Sequence, residues 1–204
     1  MTTWVETPEG GRTRGPAGIA RAWVEVLVRP RRFFTNGVAP GDQAPGLTFA
    51  IAVALAYVIG LLVVEPTTIL RPDRIPILGG STGLTVVLVL LLTAVAIAPA
   101  GLHLMAALQT VLLMLTVNDR AGVSETVQVM GYAAAPCALA WIPLPGMAAL
   151  CALYSTGLLI LGIAVVHRTS VLRATVAAAI PATLIFWVGF GGLAAGRAVR
   201  PLVG

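Results

Sequence analysis

The chain has 204 residues, of which 58% are apolar and only 10% charged, against roughly 25% charged in a soluble domain. So few charges cannot cover a water-facing surface, which excludes a soluble enzyme, a disordered chain and a disulfide scaffold and leaves the bilayer as solvent. The basic excess, 13 arginines and no lysine against eight acids, excludes lysine nucleophiles; six of the arginines precede the first long apolar run, where they set membrane orientation rather than bind nucleic acid.

Residues 1–16 are polar and predict a disordered tail. Residues 17–29 read as an amphipathic helix, with Ile19, Trp23, Val26 and Leu27 on one face and Arg21, Glu25 and Arg29 on another. Pro30 ends it. Arg31, Arg32, Phe33 and Phe34 then suit the headgroup level of a membrane, so residues 17–46 form an interfacial helix and a basic juxtamembrane segment. A helix docked on the protein's own spans is the other reading, and the two are compatible. Arg29, Arg31 and Arg32 flank the first span and are expected to orient it.

Leu47–Val64 is a charge-free run of 18 residues, enough to span the hydrocarbon core. No apolar signal-peptide core precedes it, so it is expected to be an uncleaved anchor. In the loop at 66–83, Gly79–Gly83 lacks the lysine of a phosphate cradle and reads as a flexible connection with Ser81 or Thr82 as a helix cap. Leu84–Val117 has 34 residues without a charge, about 51 Å as one helix. Either it is one long helix kinked at Pro99, or two short spans meet there. Ser124 can cap the next helix with Glu125 in its first turn, giving a span over 125–142 that ends at Pro143-Leu144-Pro145-Gly146. Met147–Val166 is the following span. His167–Arg173 is a short basic loop, Ser170 caps a last span over 174–195, and residues 196–204 form a C-terminal tail.

Charge counting separates the topologies. Five spans with the N-terminus inside put nine arginines inside and four outside, whereas six spans give eight and five. The sequence therefore predicts an all-α, polytopic helix bundle of five transmembrane helices, with six as the alternative. The N-terminus is expected in the cytoplasm, the C-terminus outside, and a plasma membrane is the default location.

Candidates for chemistry are sparse. No Asp or Glu lies well inside a proposed span. His103 and His167 are far apart, and neither has a second ligand at i+3 or i+4, so no metal or cofactor is expected. Cys137 and Cys151 lie in apolar segments and read as small hydrophobes. No serine sits in a nucleophile motif with a base and an acid, so the chain is not expected to be an enzyme. His103 and Gln109 could hydrogen-bond a neighbouring helix, or line a polar path near the Pro99 break of a small transporter or channel subunit. Small residues recur at four-residue spacing as Ala52, Ala56 and Gly60, as Ala174, Ala178 and Ala182, and as Gly192 and Gly196. They let helix backbones approach closely, within the chain or against other membrane proteins or another copy.

The order of these features resembles a known family. Gly131-Tyr132-Ala133-Ala134-Ala135-Pro136 follows a glycine-containing loop with Ser124-Glu125-Thr126. Next come a proline-rich turn, a span carrying Tyr154, and His167-Arg168-Thr169-Ser170-Val171-Leu172-Arg173. Val28-Arg29-Pro30-Arg31-Arg32-Phe33-Phe34 precedes the first span. Over residues 20–195 this is similar to the YIP family, the Ypt/Rab-interacting integral membrane proteins, in its prokaryotic form. The resemblance implies five spans, a cytoplasmic N-terminus and a non-enzymatic role as scaffold, adaptor or membrane organiser. It marks Pro30, Gly131, Tyr132, Pro136, His167, Ser170 and Arg173 as structural or interaction residues. Eukaryotic members bind Rab GTPases. This chain has no acidic Asp-Leu-Tyr-Gly-Pro-like motif before its first span, which makes GTPase binding a doubtful carry-over. The expected partners are the lipid bilayer, other membrane proteins or a second copy.

Overall fold

The computed structural model describes residues 15–71 and 77–203, and their regular structure is entirely helical. The chain runs through α1 (Gly15–Val28), α2 (Pro30–Asn36), α3 (Ala44–Val64), α4 (Thr82–Thr116), α5 (Val123–Ala133), α6 (Met147–Val166), α7 (Val171–Gly189) and α8 (Gly192–Val203). Among the described residues, α3, α4, α6 and α7 are the four helices long and apolar enough to cross a bilayer. The expected tail at 1–16 lies outside the described residues apart from Gly15 and Pro16, which open α1. Asp73 and Arg74 also lie outside them.

Pro30 both ends one helix and begins another. Arg29 leaves helical geometry, at φ −134° and ψ 55°, and Pro30 then occupies the first turn of α2, where no backbone donor is needed. The α1 stripe of Gly18, Ala22 and Val26 is buried against the bundle. Trp23 Nε1 donates to the Ala135 carbonyl at 2.8 Å, and the Tyr154 hydroxyl donates to the Leu27 carbonyl at the frayed end of α1. Phe33 and Phe34 are 2% and 1% exposed: the segment is docked on the protein's own spans, the second of the two compatible readings. Gly162 on α6 leaves the space that the Phe34 ring fills; a Cβ there would stand 3.0 Å from that ring.

The ambiguous segment is one helix. Its α-helical ladder widens into a π-turn at Thr93–Ile97, just before Pro99. Proline removes the donor that the Val95 carbonyl needs and its ring crowds that carbonyl, and the wider turn accommodates both. Pro181 in α7 acts similarly, followed by a π-turn at Thr183–Gly189.

Residues 125–142, expected as one span, form something shorter. α5 starts one residue before Ser124 and stops at Ala133, and a 3₁₀ turn follows at Ala135–Leu139 with Pro136 in its first turn. Every residue from Thr126 to Cys137 is buried, so this broken segment is the centre of the bundle. Ser124 is not the cap expected of it. Gly122 occupies that position, and Ser124 Oγ instead accepts from Gly41 N at 3.0 Å. The last span is also shorter than expected. It ends at Gly189, Gly191 turns at φ +76°, and α8 takes up much of the expected tail.

Candidate functional site

Two regions gather the residues singled out in the sequence. The first is the crossing of α3 and α5. Gly131 and Gly46 bring the two backbones together: a Cβ on Gly131 would lie 2.4 Å from the Gly46 carbonyl oxygen. Beside it, Tyr132 is fully buried. The Phe33 and Phe49 rings meet it edge-on, with centroids at 4.7 and 5.2 Å. Pro136 then turns the chain so that Cys137 Sγ comes 3.3 Å from Ser155 Oγ on α6. Gly60 of α3 carries the Trp141 ring; a Cβ there would fall 2.1 Å from it.

The second region is the end of the bundle where the 37–43, 117–122 and 167–170 connections meet. They enclose a pocket of about 390 Å³ lined in part by Asp119, Arg120, Glu125, His167 and Arg168. Long-range hydrogen bonds hold this end rigid. Gln128, buried within α5, clamps the Ala39 backbone from both sides: its Oε1 accepts from Ala39 N at 3.0 Å and its Nε2 donates to Ala39 O at 2.6 Å. α6 closes on a left-handed residue, Arg168 at φ +48°, with Thr169 N donating to Ala164 O at 3.1 Å. Ser170 caps α7, accepting from Arg173 N at 3.4 Å. Arg29, Arg31, Arg32, Arg120, Arg168 and Arg173 are all exposed.

His167 is 1% exposed. Its Nε2 lies 3.4 Å from Thr126 Oγ1, whose proton goes to the Gly122 carbonyl at 3.1 Å. This pattern makes Nε2 the donor and leaves Nδ1 the acceptor. Nδ1 is buried without a partner among the described residues. Protonating it would bury an unsatisfied cation. Burial pushes the imidazole down to about 4; the nearby Glu125 opposes this and Arg120 adds to it.

His103 and Gln109 are not brought together. His103 Nδ1 pairs with the Pro99 carbonyl of its own helix at 2.8 Å, not with a neighbour. Gln109 Nε2 donates to Ala177 O on α7 at 2.9 Å. That carbonyl is the one Pro181 strands by lacking an N–H, so Gln109 supplies the missing donor. Ala52 and Ala56 face α1 beside Ile19 and Trp23. Gly192 lies against Ala152, where a Cβ would come within 2.6 Å of its Cβ, and Gly196 lies over Ala149, so both glycines face α6 of the same chain. Ala174, Ala178 and Ala182 are buried within the bundle. Gly46, Gln128 and Trp141 were not anticipated. Only Gln128, a lone amide in an apolar helix, carries a signal that could have found it.

Among the described residues, no three His, Cys, Asp or Glu side chains lie close enough to hold a metal ion. No curated protein matches the chain. No solved structure matches it either. Residues 24–192, from α1 to the first residue of α8, match the family model of the Yip1 domain. The match takes in both regions described above and most of the chain, and the protein belongs to the Yip1 domain family.

Proposed function

We propose that this protein is a non-catalytic membrane scaffold or adaptor. It crosses a plasma membrane five times, with its N-terminus cytoplasmic and its C-terminus outside. The observation that carries the reading is the arginine-bearing end of the bundle. Exposed Arg31 and Arg32 of α2, with Arg120, Arg168 and Arg173, stand on a platform whose connections are tied together by the Gln128–Ala39 clamp, across 89 residues of sequence. A rigid cationic face is suited to docking an acidic partner at the membrane surface, and excess arginine belongs on the cytoplasmic side.

The helix ends favour the fifth crossing. Asp119 and Glu125 line one pocket with His167, so α5 begins at the end of the bundle where α6 finishes. α6 is 20 residues long, about 30 Å, which puts Met147 at the far end. This arrangement supports reading residues 123–146 as a broken crossing of the bilayer. α8 runs beside the first turns of α6, towards that far end. A reporter fused after Gly204 is accordingly expected to read outside in a cell-based topology assay. A cytoplasmic signal would remove the five-crossing arrangement.

The adaptor reading is tested by placing a photo-cross-linking residue at position 31 or 120. Amine-reactive reagents are of little use because the chain has no lysine. Adducts with a defined acidic protein, or with a second copy, are expected from both positions. The position-31 adducts should be lost in the double variant Arg120→Glu, Arg168→Glu, which keeps the arginines expected to orient the first span. Lipid adducts alone, together with a monomer in mild detergent, would contradict the proposal.

A further inference from the structure

α4 does not pack evenly. Its second half lies against α3, α5 and α7, whereas its first half has few neighbours in the bundle. The π-turn at Thr93–Ile97 separates the two. Between the first half and α3 lies a cavity of about 800 Å³, widened by Ala50, Ala54 and Gly101 and closed at depth by Met105 and Met130.

Its walls are hydrocarbon. The Thr85 and Thr93 hydroxyls on it are spent on their own helix, donating to Ser81 O at 3.0 Å and Val89 O at 2.8 Å. Water needs two to four polar partners to occupy such a space, and these walls do not provide them. Left empty, a void this large would forfeit dispersion contacts along every wall. Leu88, Leu92, Ile97 and Leu184 line the cavity yet are 36%, 45%, 64% and 43% exposed. Its mouth is therefore continuous with the lipid-facing surface, and what fills it comes from the bilayer. Along α3 the lining runs from Ala50 to Leu61, about 16 Å at 1.5 Å per residue. That is close to half of a hydrocarbon core of about 30 Å, the reach of a chain from one leaflet. At about 30 Å³ per water-sized group, the volume accepts a full acyl chain. Tyr57 adds a polar pointer. It lines the cavity, its ring meets Phe190 edge-on at 5.0 Å, and its hydroxyl has no hydrogen-bond partner among the described residues.

We propose that this cavity is a lipid site that takes one acyl chain of a bilayer glycerolipid from the leaflet opposite the arginine platform, with Tyr57 placed to donate to an ester oxygen. The site rests on the cavity and not on the adaptor reading.

The test uses the full chain purified in mild detergent and supplied with phosphatidylglycerol and phosphatidylethanolamine, with bound lipid read by native mass spectrometry. Wild type is expected to keep one glycerolipid per chain through delipidation. Gly101→Phe projects into the cavity from a position where a Cβ meets nothing within 4 Å, and should lower retention on the order of tenfold. Gly157→Phe is the control, since its Cβ is equally free but it does not line the cavity. It should retain lipid like wild type. Tyr57→Phe should weaken retention without abolishing it. Ala54→Leu repeats the filling from α3, should Gly101→Phe fail to fold. Equal retention in wild type and a folded cavity-filled variant would overturn the proposal. So would exclusive retention of a free fatty acid or of a lipid without ester-linked chains.

Discussion

Gly131→Ala is expected to destabilise the folded protein by about 3 kcal/mol, the upper end of the range for overpacking a well-filled interior. The new Cβ would sit 2.4 Å from the Gly46 carbonyl oxygen and 3.0 Å from its carbonyl carbon. Both are backbone atoms, so no side-chain rotation relieves the contact and α3 must move away from α5. That movement strains two neighbours, the Tyr132 ring held between Phe33 and Phe49 and the Gln128 clamp on Ala39. For a chain of this size the loss corresponds to a fall in melting temperature of roughly 6–12 °C, measured in micelles by intrinsic tryptophan fluorescence. Gly46→Ala should behave alike, because its Cβ would meet the Gln128 Cα at 2.4 Å. The double variant should lose less than the sum of the two, since one separation of the helices relieves both contacts. Alanine at Gly157, where space is open, should be neutral or stabilising through helix propensity. If Gly131→Ala melts together with wild type, the close crossing of α3 and α5 does not exist in solution.

The contrast between these glycines shows what a sequence can and cannot disclose. α3 and α6 were legible almost to their ends, because an uninterrupted apolar run of 18–20 residues has one solution in a bilayer, a helix with its own backbone satisfied. Leu84–Val117 was not, because Pro99-Ala100-Gly101 suits a turn and a kink equally. The choice was made by the π-turn and by α3 and α7 packing on the second half of α4. Phe33 and Phe34 illustrate a different limit. Periodicity finds the apolar face of a segment, but not whether lipid or protein covers it; that depended on the space left by Gly162, 128 residues downstream of Phe34. The same distance hides the polar contacts. Nothing local joins Gln128 to Ala39, or Tyr154 to Leu27. Gln109 suggested a polar path, and nothing local shows that its Nε2 donates to the carbonyl that Pro181 strands on another helix. The small-residue stripes showed that close packing occurs, while the partner of each was fixed only in three dimensions.

Acidification is expected to weaken the fold through His167. Its imidazole is held at about 4 in the folded protein, against an ordinary value of 6.5. Above pH 6.5 both the folded and unfolded forms are neutral at this site, and its full stability is present. Between 6.5 and 4 the unfolded chain takes up a proton that the folded chain refuses, so stability falls as the pH falls. From pH 7.5 to pH 5 the loss is about 2 kcal/mol. The corresponding drop in melting temperature is roughly 4–8 °C. The carboxylates of Glu125 and Asp119 and the guanidinium groups of Arg120 and Arg168 share the pocket, and other acids titrate as well, so the diagnostic quantity is a difference between variants. His167→Gln can still donate to Thr126 but cannot charge, and should lose much less stability over the same interval. Glu125→Gln removes a neighbouring carboxylate that favours the imidazolium and should make the loss steeper. Parallel pH profiles for wild type and His167→Gln would show that His167 is not buried neutral beneath the arginine-lined end of the bundle. The ordering of the 117–122 and 167–170 connections around it would then need another cause.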